Sequence, residues 1–221
     1  MNKTIFTLSL IILAALSLTS CKEKPGESPS PNSSAKEYTQ SKPTVFKGEW
    51  IYFSFATGKE VEGVTESNYQ ESLNWDIAFN SFFFRTNSGK SGKGKGGALK
   101  TEQQNLADVK EAPTTGYDID KEYVALGYNG QVLEHNTTAN VVLSGISKIQ
   151  LQPRVDIQLG EAIKFQGPPP TYRPNDKVFI IRTAEGKYAK VKFISYSNAE
   201  GRPGYISFKY VYQANGSTKF D

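Results

Sequence analysis

Apolar and polar positions alternate most cleanly near the C-terminus of this chain. Ala189, Val191 and Phe193 oppose Lys190, Lys192 and Ile194, and Ile206, Phe208, Tyr210 and Tyr212 oppose Ser207 and Lys209. A repeat of two places alternate side chains on opposite faces of a pleated strand. The pattern therefore predicts strands over 178–183, 187–196 and 204–213, broken at Glu185-Gly186 and at Asn198-Ala199-Glu200-Gly201. They read as an antiparallel meander with one wet face.

Shorter runs upstream carry the same signature. Residues 50–55 form a strand closed by Thr57-Gly58, and Trp75 to Phe84 reads as one strand that becomes apolar on both sides. Residues 85–97, rich in glycine and lysine, read as a solvated connection with no regular element. Residues 65–73 fit either a helical turn or a strand lead-in. Thr101 to Lys110 is the best short helix, capped by Thr101 and stopped by Pro113. A strand at 123–126 leads into a hairpin turn at Tyr128-Asn129-Gly130-Gln131, with the return beginning at Val132. Residues 149–157 alternate as a strand in which Pro153 suits only an edge or a bulge, and the proline loop 166–174 is stiff and extended. Together these elements predict a single all-β domain of mainly antiparallel sheet with at most short helices.

The N-terminus follows a different logic. Residues 1–20 hold a lysine at position 3 and an apolar core too short for a membrane span, which fits a secretory signal. Leu18-Thr19-Ser20-Cys21 has the form of a bacterial lipobox, so Cys21 is the expected lipidation site and first mature residue. Residues 21–43, rich in proline and serine, read as a flexible tether that folding does not need, and 44–221 as the domain. Cys21 is the only cysteine, so a lipidated chain has no thiol left for a disulfide, a zinc site or a nucleophile.

Few residues are left to carry chemistry. Gly89 to Gly94-Lys95 begins a phosphate-loop spacing, but Gly96 stands where the metal-binding hydroxyl is required. His135 is the only histidine, sits in a polar stretch that reads as a surface loop, and has no nucleophile motif beside it. No enzyme is expected. A net charge of +4 with lysines spread along the chain gives no nucleic-acid footprint.

Trp75-Asp76-Ile77-Ala78-Phe79, followed by Arg85-Thr86-Asn87-Ser88-Gly89, Ser91-Gly92 and Gly96-Gly97, resembles the signature of HmuY-type lipoproteins, exported haem-binding proteins of Bacteroidetes. The likeness runs from about Trp50 to the C-terminal aromatic strands. It implies an HmuY-like β domain that takes up haem, free or from host haemoproteins, and passes it to a TonB-dependent outer-membrane receptor. It also implies a lipid-anchored protein of the outer membrane, at the cell surface. Family members hold haem iron between paired histidines or paired methionines from loops at one end of the fold. This chain departs from that pattern, because after processing it has one histidine and no methionine. The resemblance puts His135 near one family ligand and the proline loop up to Tyr172 near the other. It therefore implies His135 on the metal with Tyr172 as an oxygen ligand, or a haem-bridged dimer with one His135 from each chain. Readings of a different class are a surface glycan-binding lipoprotein and a structural or adhesive lipoprotein that has lost haem.

Overall fold

The computed structural model describes residues 34–45, 48–126, 132–144, 149–151, 155–156, 162–166 and 171–220, with backbone alone at 124–126, 132–137, 149–151, 155–156 and 165–166. Its strands are β1 (Lys36–Thr39), β2 (Ile51–Ser54), β3 (Lys59–Glu60), β4 (Ile77–Asn80), β5 (Phe83–Thr86), β6 (Gly97–Lys100), β7 (Lys121–Leu126), β8 (Val132–Ala139), β9 (Ile149–Leu151), β10 (Val155–Asp156), β11 (Ile163–Gln166), β12 (Thr171–Pro174), β13 (Phe179–Arg182), β14 (Tyr188–Ser197) and β15 (Pro203–Gln213). Every pairing among them is antiparallel. Among the described residues helix is limited to one 3-10 turn, Leu106–Asp108. The all-β expectation holds.

The meander forms as its alternation requires. It is the centre of a five-stranded sheet in the order β1-β15-β14-β13-β6. Phe179, Ile181, Val191, Phe193, Ile206, Phe208 and Tyr210 turn to one face and meet Ile51, Phe53, Ile77, Phe79 and Phe84 of a second sheet, β3-β2-β4-β5. The rings interlock edge to face: Phe53 lies 5.3 Å from Phe208 at 88°, and Phe84 lies 5.3 Å from Phe193 at 75°. Such pairs add to the free energy gained by removing these large side chains from water. A third sheet of four strands, β10-β9-β7-β8, and the two-stranded β11-β12 are the others among the described residues.

Several local expectations give way to tertiary contacts. The apolar run at 75–84 is a hairpin, in which Asn80 pairs with Phe83 across a two-residue turn at Ser81 and Phe82. The helix expected at 101–110 shrinks to the 3-10 turn because its backbone bonds elsewhere: Val178 N donates to Gln103 O at 2.8 Å and Phe220 N to Lys110 O at 2.8 Å. A helix that short nucleates poorly, so outside partners win. Thr101 caps no helix: its hydroxyl accepts from Gln103 N at 3.2 Å and donates to Val178 O at 2.8 Å, but the 3-10 turn starts only at Leu106. Residues 65–73 form turns, and Ile149–Leu151 pairs antiparallel with Val155–Asp156, Leu151 opposite Val155. Pro153 and the turn expected at 128–131 lie outside the described residues.

The wet face of the meander is only half wet. Val109, Ala112 and Phe220 cover Val178, Ile180, Tyr188 and Val211 from outside, and Lys190 is buried beneath them. The Lys190 ammonium donates to Val109 O at 2.9 Å and lies 5.0 Å from the Phe220 ring centre, while burial, and then Lys110, lowers its pKa. Lys209 and Ile194 on the same side stay exposed.

The domain also begins earlier than residue 44. β1 pairs with β15 and places Tyr38 opposite Phe208, with its ring 4.5 Å from Phe53 and 4.9 Å from Phe208. One aromatic residue in an otherwise polar stretch suffices when a sheet edge and a ring cluster are waiting for it. Cys21 and the leader lie outside the described residues, and no helix among the described residues is long and apolar enough to cross a membrane.

Candidate functional site

The β4–β5 hairpin builds one end of the fold. Its tight turn forces Ser81 to a φ of 53° and carries Phe82 out of the ladder. The Phe82 ring stacks on Tyr172 of β12 at 5.0 Å and 20°, and on Tyr196 of β14 at 5.1 Å and 27°. Tyr172 and Tyr196 are 4.9 Å apart, and Ser81 Oγ is 3.2 Å from the Tyr196 hydroxyl. Burial raises the Tyr196 pKa and keeps its phenol neutral. Tyr172 is half-buried in this cluster, so three aromatic rings meet where sequence reading marked only one tyrosine.

His135 belongs to strand β8, not to a loop. Tyr123 is opposite Thr137 and Ala125 is opposite Glu134, so β8 carries an extra residue here and its register shifts at His135 and Asn136. Bulges of this kind re-aim side chains and are common beside binding sites. The imidazole itself lies outside the described side chains. His135 and Tyr172 stand in different sheets, with β5 as the element that touches both neighbourhoods. Arg85 Nε donates to Thr138 O at 3.1 Å and Asn140 N to Phe84 O at 2.8 Å, while Phe82 opens the same strand.

The signature residues have a different task. Asn87 is fully buried; its amide nitrogen donates to Ser72 O at 2.8 Å and Trp75 O at 2.9 Å, and its Oδ1 accepts from Gly94 N at 3.0 Å. A Cβ at Gly92 would stand 2.2 Å from that oxygen, which is why the loop needs glycine there. Lys93 N, Lys95 N and Gly96 N donate to Gln70 O, Ala184 O and Asn87 O. The loop thus has a buried polar clamp at Asn87, Ser88 and Ser91 while its lysines stay exposed, and the amides of Lys90, Gly94, Lys95 and Gly96 are used within the protein.

Two carboxylates brace the clamp. Asp120 accepts from Thr86 N at 2.9 Å, Thr86 Oγ1 at 2.6 Å and Asn140 Nδ2 at 3.0 Å, and burial pushes its pKa up to about 6. Asp76 accepts from Phe55 N at 2.8 Å and Ala184 N at 3.0 Å, and burial likewise raises it to about 6. Arg85 lies between the rings of Trp50 and Tyr69, 3.6 and 4.3 Å from their centres, and bonds Glu66 at 2.6 and 3.2 Å. Asp120, Asn140 and Glu66 escaped sequence reading because nothing local marks them.

Sequence reading also missed two clefts beside β2 and β3, of about 450 and 420 Å³. Glu60 and Glu62 border both, with Asp76 and Glu185 in one and Glu49 and Glu66 in the other. Lys59 borders the first and Lys42 the second, with Lys42 paired to Glu49 and Arg85 to Glu66, so the rims carry both signs of charge with carboxylates in excess. Among the described residues no three His, Cys, Asp or Glu side chains gather to hold a metal. Trp75 is fully buried, whereas Trp50 is half-buried, covered by Arg85 on one face and bordering the second cleft.

Comparison with known proteins adds the family context. The sequence model of the HmuY protein family matches residues 47–210. No curated protein matches. Among solved structures, an HmuY-like haem-binding protein of Bacteroides vulgatus superposes with a TM-score of 0.58 at 22% identity, covering 82% of this chain and 93% of the other. The apo HmuY analogue of Tannerella forsythia gives 0.54 at 21% identity, over 81% and 95%. Apo PinO of Porphyromonas gingivitis gives 0.54 at 18%, over 81% and 97%. At these identities the structural likeness establishes the fold.

Proposed function

The chain belongs to the HmuY family, and from that premise we propose that it is an exported, lipid-anchored haem-binding protein in iron acquisition, and not an enzyme. The observation that carries the reading is the family match over 47–210, which spans both His135 and Tyr172. Haem needs a flat apolar surface for its ring and a nitrogen, sulfur or oxygen ligand for its iron. The half-buried Phe82 and Tyr172 rings are the π-faces we assign to that surface, backed by the buried Tyr196 ring, and His135 and the Tyr172 phenol are the donors we assign to the iron. Bound haem would bring the redox-active iron, while the protein would bring orientation and exclusion of water. With no second imidazole or thioether, a site within one chain is five-coordinate or oxygen-ligated, and a low-spin site requires two chains that each donate His135. We further propose lipidation at Cys21, anchoring in the outer membrane at the cell surface, and hand-over to a TonB-dependent receptor.

A Soret titration of the mature protein with ferric and reduced haem tests this reading. A high-spin ferric spectrum at one haem per chain supports the five-coordinate or oxygen-ligated site, and a low-spin spectrum at one haem per two chains supports the bridged dimer. His135→Ala should abolish the shift in either case. An unchanged titration in that variant removes His135 from the site. A wild type that never shifts the haem spectrum overturns haem binding and leaves a structural lipoprotein.

A further inference from the structure

Residues just after β1 reach the aromatic end of the fold through a continuous run of contacts. Gln40 is buried against the start of β15: its backbone N–H donates to Ile206 O at 2.9 Å, its Nε2 donates to Gly204 O at 3.0 Å, and its Oε1 accepts from Ile206 N at 3.2 Å. Thr44 N donates to Gly204 O at 3.0 Å. Gly204 has a φ of 98°, and a Cβ there would lie 3.0 Å from Thr44 O, so the arm lies flat only because this residue is glycine. On its other side the buried Thr44 hydroxyl accepts from Ser81 N at 2.9 Å.

Ser81 is the sole non-glycine residue at positive φ among the described residues. Such a conformation is strained for a residue with a side chain and persists only where its surroundings hold it. The Thr44 hydroxyl is one holding contact, and the Tyr196 hydroxyl, 3.2 Å from Ser81 Oγ, is the other. The next residue is Phe82, the ring on which Tyr172 stacks.

We propose that residues 34–45 are a strap whose Thr44 hydroxyl sets the position of the Phe82–Tyr172–Tyr196 stack, so that the N-terminal arm and the aromatic end of the fold are coupled. Thr44 is a positioning residue in this scheme and touches no ligand. Coupling to haem rests on the function proposed above, whereas coupling to the stack does not.

Amide hydrogen exchange of the mature chain tests it, with β6 and β13 as an internal reference remote from the strap. Thr44→Val keeps the side-chain volume and removes the acceptor. It should speed exchange about 3- to 10-fold at Ser81, Phe82 and 171–173, the loss expected for one buried hydrogen bond, and leave the β6–β13 ladder unchanged. Thr44→Ser, which keeps the oxygen, should restore the wild-type rates. Unchanged exchange at 171–173 in Thr44→Val overturns the proposal, and so does equal acceleration at β6–β13, which would mark a general loss of stability. In a parallel haem titration, Thr44→Val should raise the haem Kd by a similar factor. A wild type without a haem signal would defeat the functional reading and leave the strap to be decided by exchange alone.

Discussion

At the scale of single residues, the interior separates two kinds of burial. Phe208 is fully buried at the meeting point of both large sheets, with Tyr38, Phe53, Phe193 and Tyr210 around it. Phe208→Ala should cost about 3–5 kcal/mol through lost transfer energy and a residual cavity. Its neighbour Lys209 is exposed, 3.9 Å from Glu37, and Lys209→Ala should change stability by less than about 0.5 kcal/mol. Urea unfolding midpoints compare the two, and equal losses would refute the assignment of faces. Asn87 is the polar counterpart. Asn87→Ala orphans Ser72 O, Trp75 O and Gly94 N at once. Of these only Trp75 O is buried and the other two are partly buried, so the variant should lose about 1–3 kcal/mol, the cost of one buried unsatisfied group, or somewhat more. A mild effect would mean that the clamp reorganises around water.

At the scale of elements, β1 is the test case. Its sequence, Lys36-Glu37-Tyr38-Thr39, has no strong strand signal, yet it closes one edge of the five-stranded sheet and buries Tyr38. A chain beginning at Ser41 should be about 3 kcal/mol or more less stable than one beginning at Ser34, since it loses a buried ring and a ladder of hydrogen bonds. Thermal unfolding of the two chains checks this, and equal midpoints would return β1 to the tether. The short helix expected at 101–110 teaches the same lesson in reverse. Its local propensity was adequate, but Val109 and Ala112 gain more by capping the outer face of the meander.

At the scale of the whole molecule, Asp76 and Asp120 tie separate sheets and loops together, and both have pKa values raised by burial from 3.8 to about 6. The folded state therefore binds these protons more tightly than the unfolded state does. Their contribution to stability is complete below about pH 3.8 and is lost as pH rises through about 6. Unfolding midpoints should rise between pH 7 and pH 5, by an amount on the order of 1–3 kcal/mol in free energy. A flat or falling profile over that window would show that other groups dominate. The sequence by itself determined the all-β class, the C-terminal meander and its core face, because alternation is a local property that a sheet converts directly into inside and outside. It also marked the loop after Trp75, although not its inward role. Only the tertiary structure decided where buried polar groups find partners. Thr86 N reaches Asp120 across 34 positions and Ala184 N reaches Asp76 across 108, distances over which no periodicity carries information. The same holds for the candidate site: Tyr172 was visible as a residue, but its stack with Phe82 and Tyr196 exists only because three strands from distant parts of the chain end side by side.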